Sequence, residues 1–267
     1  MDLSRTTASV PLTRIAGSAR QSTTDMVVLE RTVTIYLNGS ALTRLVCSPV
    51  QLAELAAGFL YVEGILRERA DLGKIVVKED DGSIWVETAG PVEETFLARK
   101  AFAICGGGAA GGSASGLREI RPVNAALTVT AAEVLNLSNR LEEVPVLFTS
   151  TGGAHVAALA RPGEMLLLYE DIGRHNAVDK LIGRCFLDGI PAGDKLLIFS
   201  GRVFSEILIK AAKLGVPIIV SRGAPTDLAL ALAAELGVTV IGFARGERMN
   251  VYTHRERIAS CQQEVSD

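Results

Sequence analysis

The chain has 267 residues, 48% apolar and 21% charged, enough to build one large or two modest folded domains. Its 27 Lys and Arg against 30 Asp and Glu give a net charge of −3, which argues against general nucleic-acid binding but leaves room for a local basic site. No apolar run approaches the length of a membrane span, the first 26 residues hold no signal-type segment, and the four cysteines (Cys47, Cys105, Cys185, Cys261) lie far apart, so a soluble cytoplasmic protein without a disulfide framework is expected.

Taken in chain order, residues 1 to 25, rich in Ser, Thr and Arg, read as a frayed end. Val33–Leu37 alternates, Asn38-Gly39 suits a type I′ turn and Ala41–Cys47 returns, which predicts a hairpin. Ser48-Pro49-Val50-Gln51 reads as a capping box with Ser48 at the N-cap. The helix it opens should run through Leu52, Leu55, Ala56, Phe59 and Leu60 to Glu63, ended by Gly64. Ile75–Lys78 and Ile84–Thr88 form a second hairpin signal around Asp80-Asp81-Gly82. Cys105 then precedes eleven residues that are all Gly, Ala or Ser, Gly106 to Gly116. Nothing in that run can shield the sulfur, so a mobile loop with an accessible thiol at its base is expected. The run divides the chain into a smaller α+β domain, residues 1–118, and an α/β domain, residues 119–267.

In the second half a helix is expected over Ala131–Glu143, capped by Thr130, with strands at Val144–Thr149 and His155–Ala160 around Thr151-Gly152-Gly153. Met165–Tyr169, Leu196–Phe199, Ile218–Val220 and Val238–Phe243 are short apolar runs typical of strands buried on both faces. Between them lie two helical stripes, Ala177, Val178, Leu181, Ile182, Cys185, Phe186 and Val203, Phe204, Ile207, Leu208, Ala211, Ala212. That alternation predicts parallel pairing with right-handed crossovers.

Each strand-to-helix junction here combines small residues with arginine: Gly173-Arg174-His175, Ser200-Gly201-Arg202, Ser221-Arg222-Gly223, and Phe243-Ala244-Arg245-Gly246-Glu247-Arg248. Ligands of open α/β sheets bind beyond the carboxyl ends of the strands, where helix amino termini face outward. Five arginines at that edge predict an anionic ligand, a pyrophosphate or nucleotide, with Glu170 or Asp171 able to bond a guanine or ribose edge. The competing reading is that the arginines are solvated and pair with Glu170, Asp171 or Glu247. His175 is favoured for ligand contact, His155 suits packing and chemistry equally, and His254 is a surface candidate. Cys185 lies on an apolar stripe, Cys47 ends a strand and Cys261 sits in the polar tail, so none of these competes with Cys105. Gly106-x-Gly108-x-x-Gly111 matches a dinucleotide fingerprint as a string, but no long helix follows it. No Cys or His has a partner at zinc-ligand spacing, so no metal site is expected.

Phe148-Thr-Ser-Thr-Gly-Gly-Ala-His155 and Glu170-Asp-Ile-Gly-Arg-His-Asn-Ala-Val-Asp-Lys180 closely resemble the formate dehydrogenase accessory sulfurtransferase family, FdhD. So do Ser200-Gly-Arg-Val, Val240-Ile-Gly-Phe243, Val251-Tyr-Thr-His254 and Leu52 to Gly64, over roughly residues 30 to 258. The resemblance implies a sulfur carrier. A cysteine desulfurase would load a persulfide on Cys105, and the sulfur would pass to the molybdenum bis(molybdopterin guanine dinucleotide) of formate dehydrogenase. It further implies that Phe243, Ala244, Arg245, Gly246, Glu247 and Arg248 bind that guanine-nucleotide-bearing cofactor, and the strand-end reading adds the junction residues Arg174, His175, Ser200, Arg202, Ser221 and Arg222 to the same site. A cytidine-deaminase-like layered α/β domain without zinc, and a homodimer, are implied as well. The chain departs from the family at Gly108, where a second loop cysteine is common. A single thiol still suffices to hold a persulfide, but a resolving partner is lost. That departure keeps an alternative open, a cofactor-binding chaperone that carries no covalent sulfur.

Overall fold

A computed structural model describes residues 3–92 and 120–259. Cys105, the Gly106–Gly116 run, Cys261 and the expected boundary at residue 118 lie outside the described residues. The chain is a mixed α/β protein. It opens with a two-stranded ribbon, β1 (Thr7–Ala16) and β2 (Ala19–Val28), paired in register from Thr7 with Val28 to Ala16 with Ala19. This corrects the frayed end expected from composition. The tight turn at Gly17, with φ +61°, closes the ribbon, while Pro11 and the many Ser and Thr residues hide its alternation in the sequence.

The first hairpin is β3 (Arg31–Leu37) and β4 (Ser40–Cys47), turned at Asn38 and Gly39, both with positive φ as a type I′ turn requires. Helix α1 (Leu52–Val62) follows, then β5 (Leu72–Lys78) and β6 (Ser83–Thr88), giving a four-stranded sheet in the order β4-β3-β6-β5. The expected cap is not used. Helix α1 starts only after Gln51, whose φ is +57° and whose side chain caps nothing, because Ser48 is committed elsewhere. Its N–H donates to Asp171 Oδ2 at 3.1 Å and its hydroxyl accepts from the Ile172 N–H at 3.2 Å.

The larger sheet is six-stranded, with β8 (His155–Arg161), β9 (Glu164–Asp171), β10 (Leu196–Phe199), β11 (Ile218–Ser221), β12 (Thr239–Arg245) and β13 (Arg248–Val251) in the order β13-β12-β11-β10-β8-β9. A short β7 (Val129–Thr130) pairs with β14 (Ile258–Ala259) beside it. Within the six-stranded sheet only β10, β11 and β12 pair in parallel as expected. The pairs β8–β9 and β12–β13 are antiparallel, because each is joined by only two residues and a parallel crossover needs many more. Helices α4 (Arg174–Asp188), α5 (Ser205–Leu214) and α6 (Asp227–Leu236) cover one face of this sheet through Leu181, Ile207, Ala229 and their neighbours. Helix α2 (Ala131–Glu143) covers the other through Val134, Leu137 and Leu141, and its Thr130–Glu133 capping box forms as the sequence predicts. The segment expected as a strand at Val144–Thr149 is instead a helix, α3 (Val146–Thr151). Glu170, distant in sequence, accepts hydrogen bonds from the N–H groups of Val146, Leu147 and Phe148 at 3.1, 3.1 and 2.7 Å and so stabilises the open amino end of α3. Among the described residues no helix is long and apolar enough to cross a membrane.

Helix α1 is buried nearly all round, between the four-stranded sheet and α4. Where α1 crosses α4, Gly58 faces Gly183. A Cβ on Gly58 would overlap the carbonyl of Asp179, and one on Gly183 would overlap the carbonyl of Glu54. Two buried ion pairs hold the same region. Lys180 bonds Asp171 at 2.6 Å, with further contacts to the Ser48 and Glu170 carbonyls, and Lys210 bonds both oxygens of Asp179 at 2.7 Å. Replacing Gly58 or Gly183 with Ala should destabilise the fold by about 1–3 kcal/mol or more through overpacking, read as a lowered urea midpoint. Lys180→Met strands the buried Asp171 carboxylate and should cost about 3–5 kcal/mol in the same measurement.

Candidate functional site

The strand directions bring one set of junctions to a single rim. The carboxyl ends of β9, β10, β11 and β12 lie there together with the amino ends of β8 and β13, because β8 and β13 run against their neighbours. His155, Arg174, Ser200, Arg202, Ser221, Arg222, Phe243, Arg245 and Arg248 are thereby gathered on the edge that the sequence pattern selects.

The arginines differ in how they are held. Arg174 and Arg202 lie over the ring of Phe204, at 4.5 and 4.7 Å from its centroid. Neither pairs with a carboxylate among the described residues, and the buried Arg174 Nε has no hydrogen-bond partner. Two cations held against one aromatic ring leave their charge available to an anion. Arg222 is tied down instead, with its guanidinium on Glu142 and on the Ser138 carbonyl at 3.2 Å. Arg245 donates twice to the Arg222 carbonyl, at 3.1 and 2.8 Å. Arg248 and Glu247 are exposed. The turn from Phe243 to Arg248 is docked on α2, where Asn139 exchanges two hydrogen bonds with Gly246 at 3.0 and 2.9 Å and Ser138 donates to the Ala244 carbonyl at 2.7 Å. Phe243 has φ +53°, an uncommon conformation for a bulky residue, held by its N–H bond to the Gly223 carbonyl at 3.1 Å.

Several expected ligand contacts are placed inward. Glu170 and Asp171 are buried and their oxygens are spent, on α3 and on Ser48, Gly173, Asn176 and Lys180 respectively. They therefore bond neither a guanine nor a ribose, and none of the five arginines pairs with them. Ser221 is buried, and its hydroxyl donates to the Gly201 carbonyl at 2.5 Å, cross-tying two neighbouring junctions. His175 is buried as well. Burial first, then the charges of Lys210 and Arg174, push it down to about 3, so it is neutral and its Nε2 lies 3.4 Å from Glu206. Cys47 and Cys185 are buried thiols pushed up to about 12, chiefly by burial, which makes them inert.

His155 joins the site more directly than the sequence shows. A cavity of about 330 Å³ opens between α2, α3 and the rim, lined by His155, Ser200, Arg222, Gly152, Gly153 and Phe148 among others. Ser200 Oγ accepts from the Val156 N–H at 3.1 Å and lies 3.2 Å from His155 Nδ1. Burial, helped by the charge of Arg174, lowers the His155 pKa and leaves a neutral ring beside an arginine. The Thr151-Gly152-Gly153 turn before His155 is the available signal, because it lets backbone approach the cavity without side chains. The ends of the segment that carries Cys105 enter elsewhere. Pro91, Val92 and Ile120 to Val123 border clefts around Gly64 and Arg67, where α1 ends.

The folded chain holds His175 neutral where an unfolded one, at the ordinary 6.5, binds a proton. Stability should therefore fall as pH drops below 6.5 toward about 3, by roughly 1.4 kcal/mol per unit, with no such loss above that window. Urea midpoints at pH 7 and 5 should show a shallower pH dependence for His175→Gln than for the parent chain.

The comparisons with known proteins agree with one another. A sequence model of the FdhD/NarQ family matches residues 28–259. A protein of Geobacillus kaustophilus named "Sulfur carrier protein FdhD" is 42% identical over 237 residues, 88% of this chain and 90% of its own. One of the same name from Staphylococcus aureus is 38% identical over 256 residues, 95% of this chain and 97% of its own. A crystal structure of a formate dehydrogenase accessory protein from Desulfotalea psychrophila superposes with a TM-score of 0.79 at 28% identity, covering 95% of this chain and all of that one.

Proposed function

The chain belongs to the FdhD/NarQ family, and from that membership we propose that it is a sulfur carrier serving a formate dehydrogenase. In this reading Cys105 is the sulfur-bearing residue. Its thiolate attacks the outer sulfur of a persulfide on a cysteine desulfurase, the S–S bond there breaks, and the desulfurase thiolate leaves. Cys105 then carries the terminal sulfur to the acceptor, molybdenum bis(molybdopterin guanine dinucleotide), bound as substrate.

The observation that carries the acceptor half is the arginine pair on Phe204, with its unpartnered buried Nε, on the same rim as a cavity walled by His155 and Ser200. Guanidinium groups unopposed by carboxylates suit the phosphate oxygens of such a cofactor. The exposed Arg245, Glu247 and Arg248 would contact the guanine-nucleotide end, with Phe243, Ala244 and Gly246 shaping that turn. Buried His175 and Ser221 would support the rim from beneath, and Arg222 would act where its guanidinium ties the end of β11 to α2 and its carbonyl accepts from Arg245. Cys105 stands thirteen positions after Val92 and fifteen before Ile120, so its two tethers have contours of up to about 45 and 50 Å. We also read the six-stranded layer as a zinc-free, cytidine-deaminase-like domain, on the support of its mixed strand order and its helices on both faces.

Gly108 favours keeping a second reading, a chaperone that binds the cofactor without carrying sulfur. Complementation in a host lacking its own accessory protein separates the two. Cys105→Ala should abolish both formate dehydrogenase activation and labelling by desulfurase-derived sulfur while leaving GDP affinity within twofold. Retained activation by that variant would select the chaperone. Arg202→Ala should weaken GDP binding about tenfold, a loss of roughly 1.4 kcal/mol, measured by calorimetry at fixed salt.

A further inference from the structure

The hydroxyl of Ser200 decides which nitrogen of His155 carries the proton. Ser200 stands just past β10, opposite Val156, and extends the β8–β10 ladder by giving its N–H to the Val156 carbonyl at 3.0 Å. The returning bond, from the Val156 N–H, goes to Ser200 Oγ at 3.1 Å. That oxygen still has its own proton to place. Among the described residues the acceptor within reach is His155 Nδ1, at 3.2 Å. A proton on Nδ1 instead would set two N–H donors on one oxygen and leave the hydroxyl proton without a protein acceptor. Nδ1 is therefore the accepting nitrogen, and Nε2 carries the ring proton. Burial and the charge of Arg174 outweigh Asp171 and keep the ring neutral.

Nε2 bonds nothing among the described residues, yet it is not one of the buried unpartnered atoms, so it opens on the cavity of about 330 Å³ between α2, α3 and the rim. Three apolar side chains, Leu141, Phe148 and Ile172, wall that cavity, and so does Glu142. Arg222 holds one carboxylate oxygen of Glu142, Oε1, while Oε2 bonds nothing among the described residues. The cavity thus offers a flat apolar solute one neutral donor and, at another point of its wall, one acceptor. The sequence pattern looks for such an acid at the strand ends, where Glu170 and Asp171 are buried and spent, and α2 supplies it instead. A heterocycle that matches has a carbonyl oxygen for the donor and N–H groups for the carboxylate. We propose that this cavity binds a 2-amino-4-oxopyrimidine ring, the edge that guanine and pterin share, with His155 Nε2–H donating to the ring carbonyl, Glu142 accepting from its N–H groups and Ser200 holding His155 in the donating tautomer. Adenine sets an amino group against the His155 N–H, donor against donor, and is rejected on that ground. The inference rests on the acceptor reading above, whose cofactor carries both rings.

Nitrogen NMR of the free full chain tests the tautomer without any ligand, and with three histidines in the sequence the His155 signals are assigned by their loss in His155→Gln. Nδ1 should show the shift of an unprotonated nitrogen and Nε2 that of a protonated one. Ser200→Ala should give a tautomer mixture and Ser200→Thr should restore the parent pattern. Calorimetry then compares GDP with ADP. His155→Ala and Glu142→Ala should each weaken GDP about tenfold while changing ADP by less than about twofold, whereas a merely structural loss would weaken both alike. His155→Gln, whose amide N–H can take the place of Nε2–H, should keep most of the GDP affinity. Neopterin, titrated into the same variants, separates the two sources: losses confined to GDP assign guanine, and losses confined to neopterin assign the pterin. A parent chain protonated on Nδ1, or losses that fall equally on GDP and ADP, overturns the proposal. GDP binding that Arg202→Ala weakens, in a chain where neither cavity variant affects GDP or neopterin, sinks this inference and leaves the acceptor reading standing. Failure of the parent chain to bind either probe sinks both.

Discussion

The crossing of α1 over α4 at Gly58 and Gly183 is the constraint on which the rest of the molecule hangs. Backbones can approach this closely only where neither helix carries a Cβ, and the approach brings the small sheet and the large one into one packed body. Phe186 on α4 reaches the core of the four-stranded sheet, while Val62 on α1 reaches the core of the six-stranded one. Each helix thus serves two cores.

Asp171 completes that attachment and carries it to the rim. Its carboxylate collects the Ser48 N–H, the Gly173 N–H, the Asn176 side chain and the Lys180 ammonium, while Asn176 also donates to the Val46 carbonyl at 2.7 Å. The residues just after it, Gly173 and Arg174, begin α4 and place Arg174 beside Phe204. Fixing the two sheets to one another therefore also fixes the first arginine of the rim. The string from Glu170 to Lys180 is distinctive in the sequence because this packing is exacting, and its charged members other than Arg174 are buried in structural work.

Much of the fold is legible locally. The hairpin at Asn38-Gly39, the Thr130 cap and the apolar strands of the large sheet each depend on residues that are neighbours in the chain. The misreadings share a different origin. Ser48 looks like a helix cap until Asp171 claims it, and Val146–Thr151 looks like a strand until Glu170 arrives from β9 to bond its N–H groups. In both cases a partner more than twenty residues away decides the local structure. The rim is legible because strand ends are predictable, but the division of labour on it is not. Which arginine is tied to a carboxylate and which lies on a ring depends on Glu142 and Phe204, and no spacing in the sequence links them to Arg222 or Arg174.

The Phe204 ring has a consequence beyond holding two side chains in place. An aromatic face orders a guanidinium without cancelling its charge, whereas a carboxylate orders and neutralises it together. The rim thus keeps a standing positive potential on a molecule whose total charge is negative, −3. Such a field acts at a distance, turning a diffusing polyanion toward this edge before any contact is made. Its reach is set by the surrounding electrolyte, about 8 Å at physiological ionic strength and about 30 Å in dilute buffer. Under the proposed function, capture of an anionic partner by this edge would be a rate that salt controls, while the geometry that receives it is set by packing and is not.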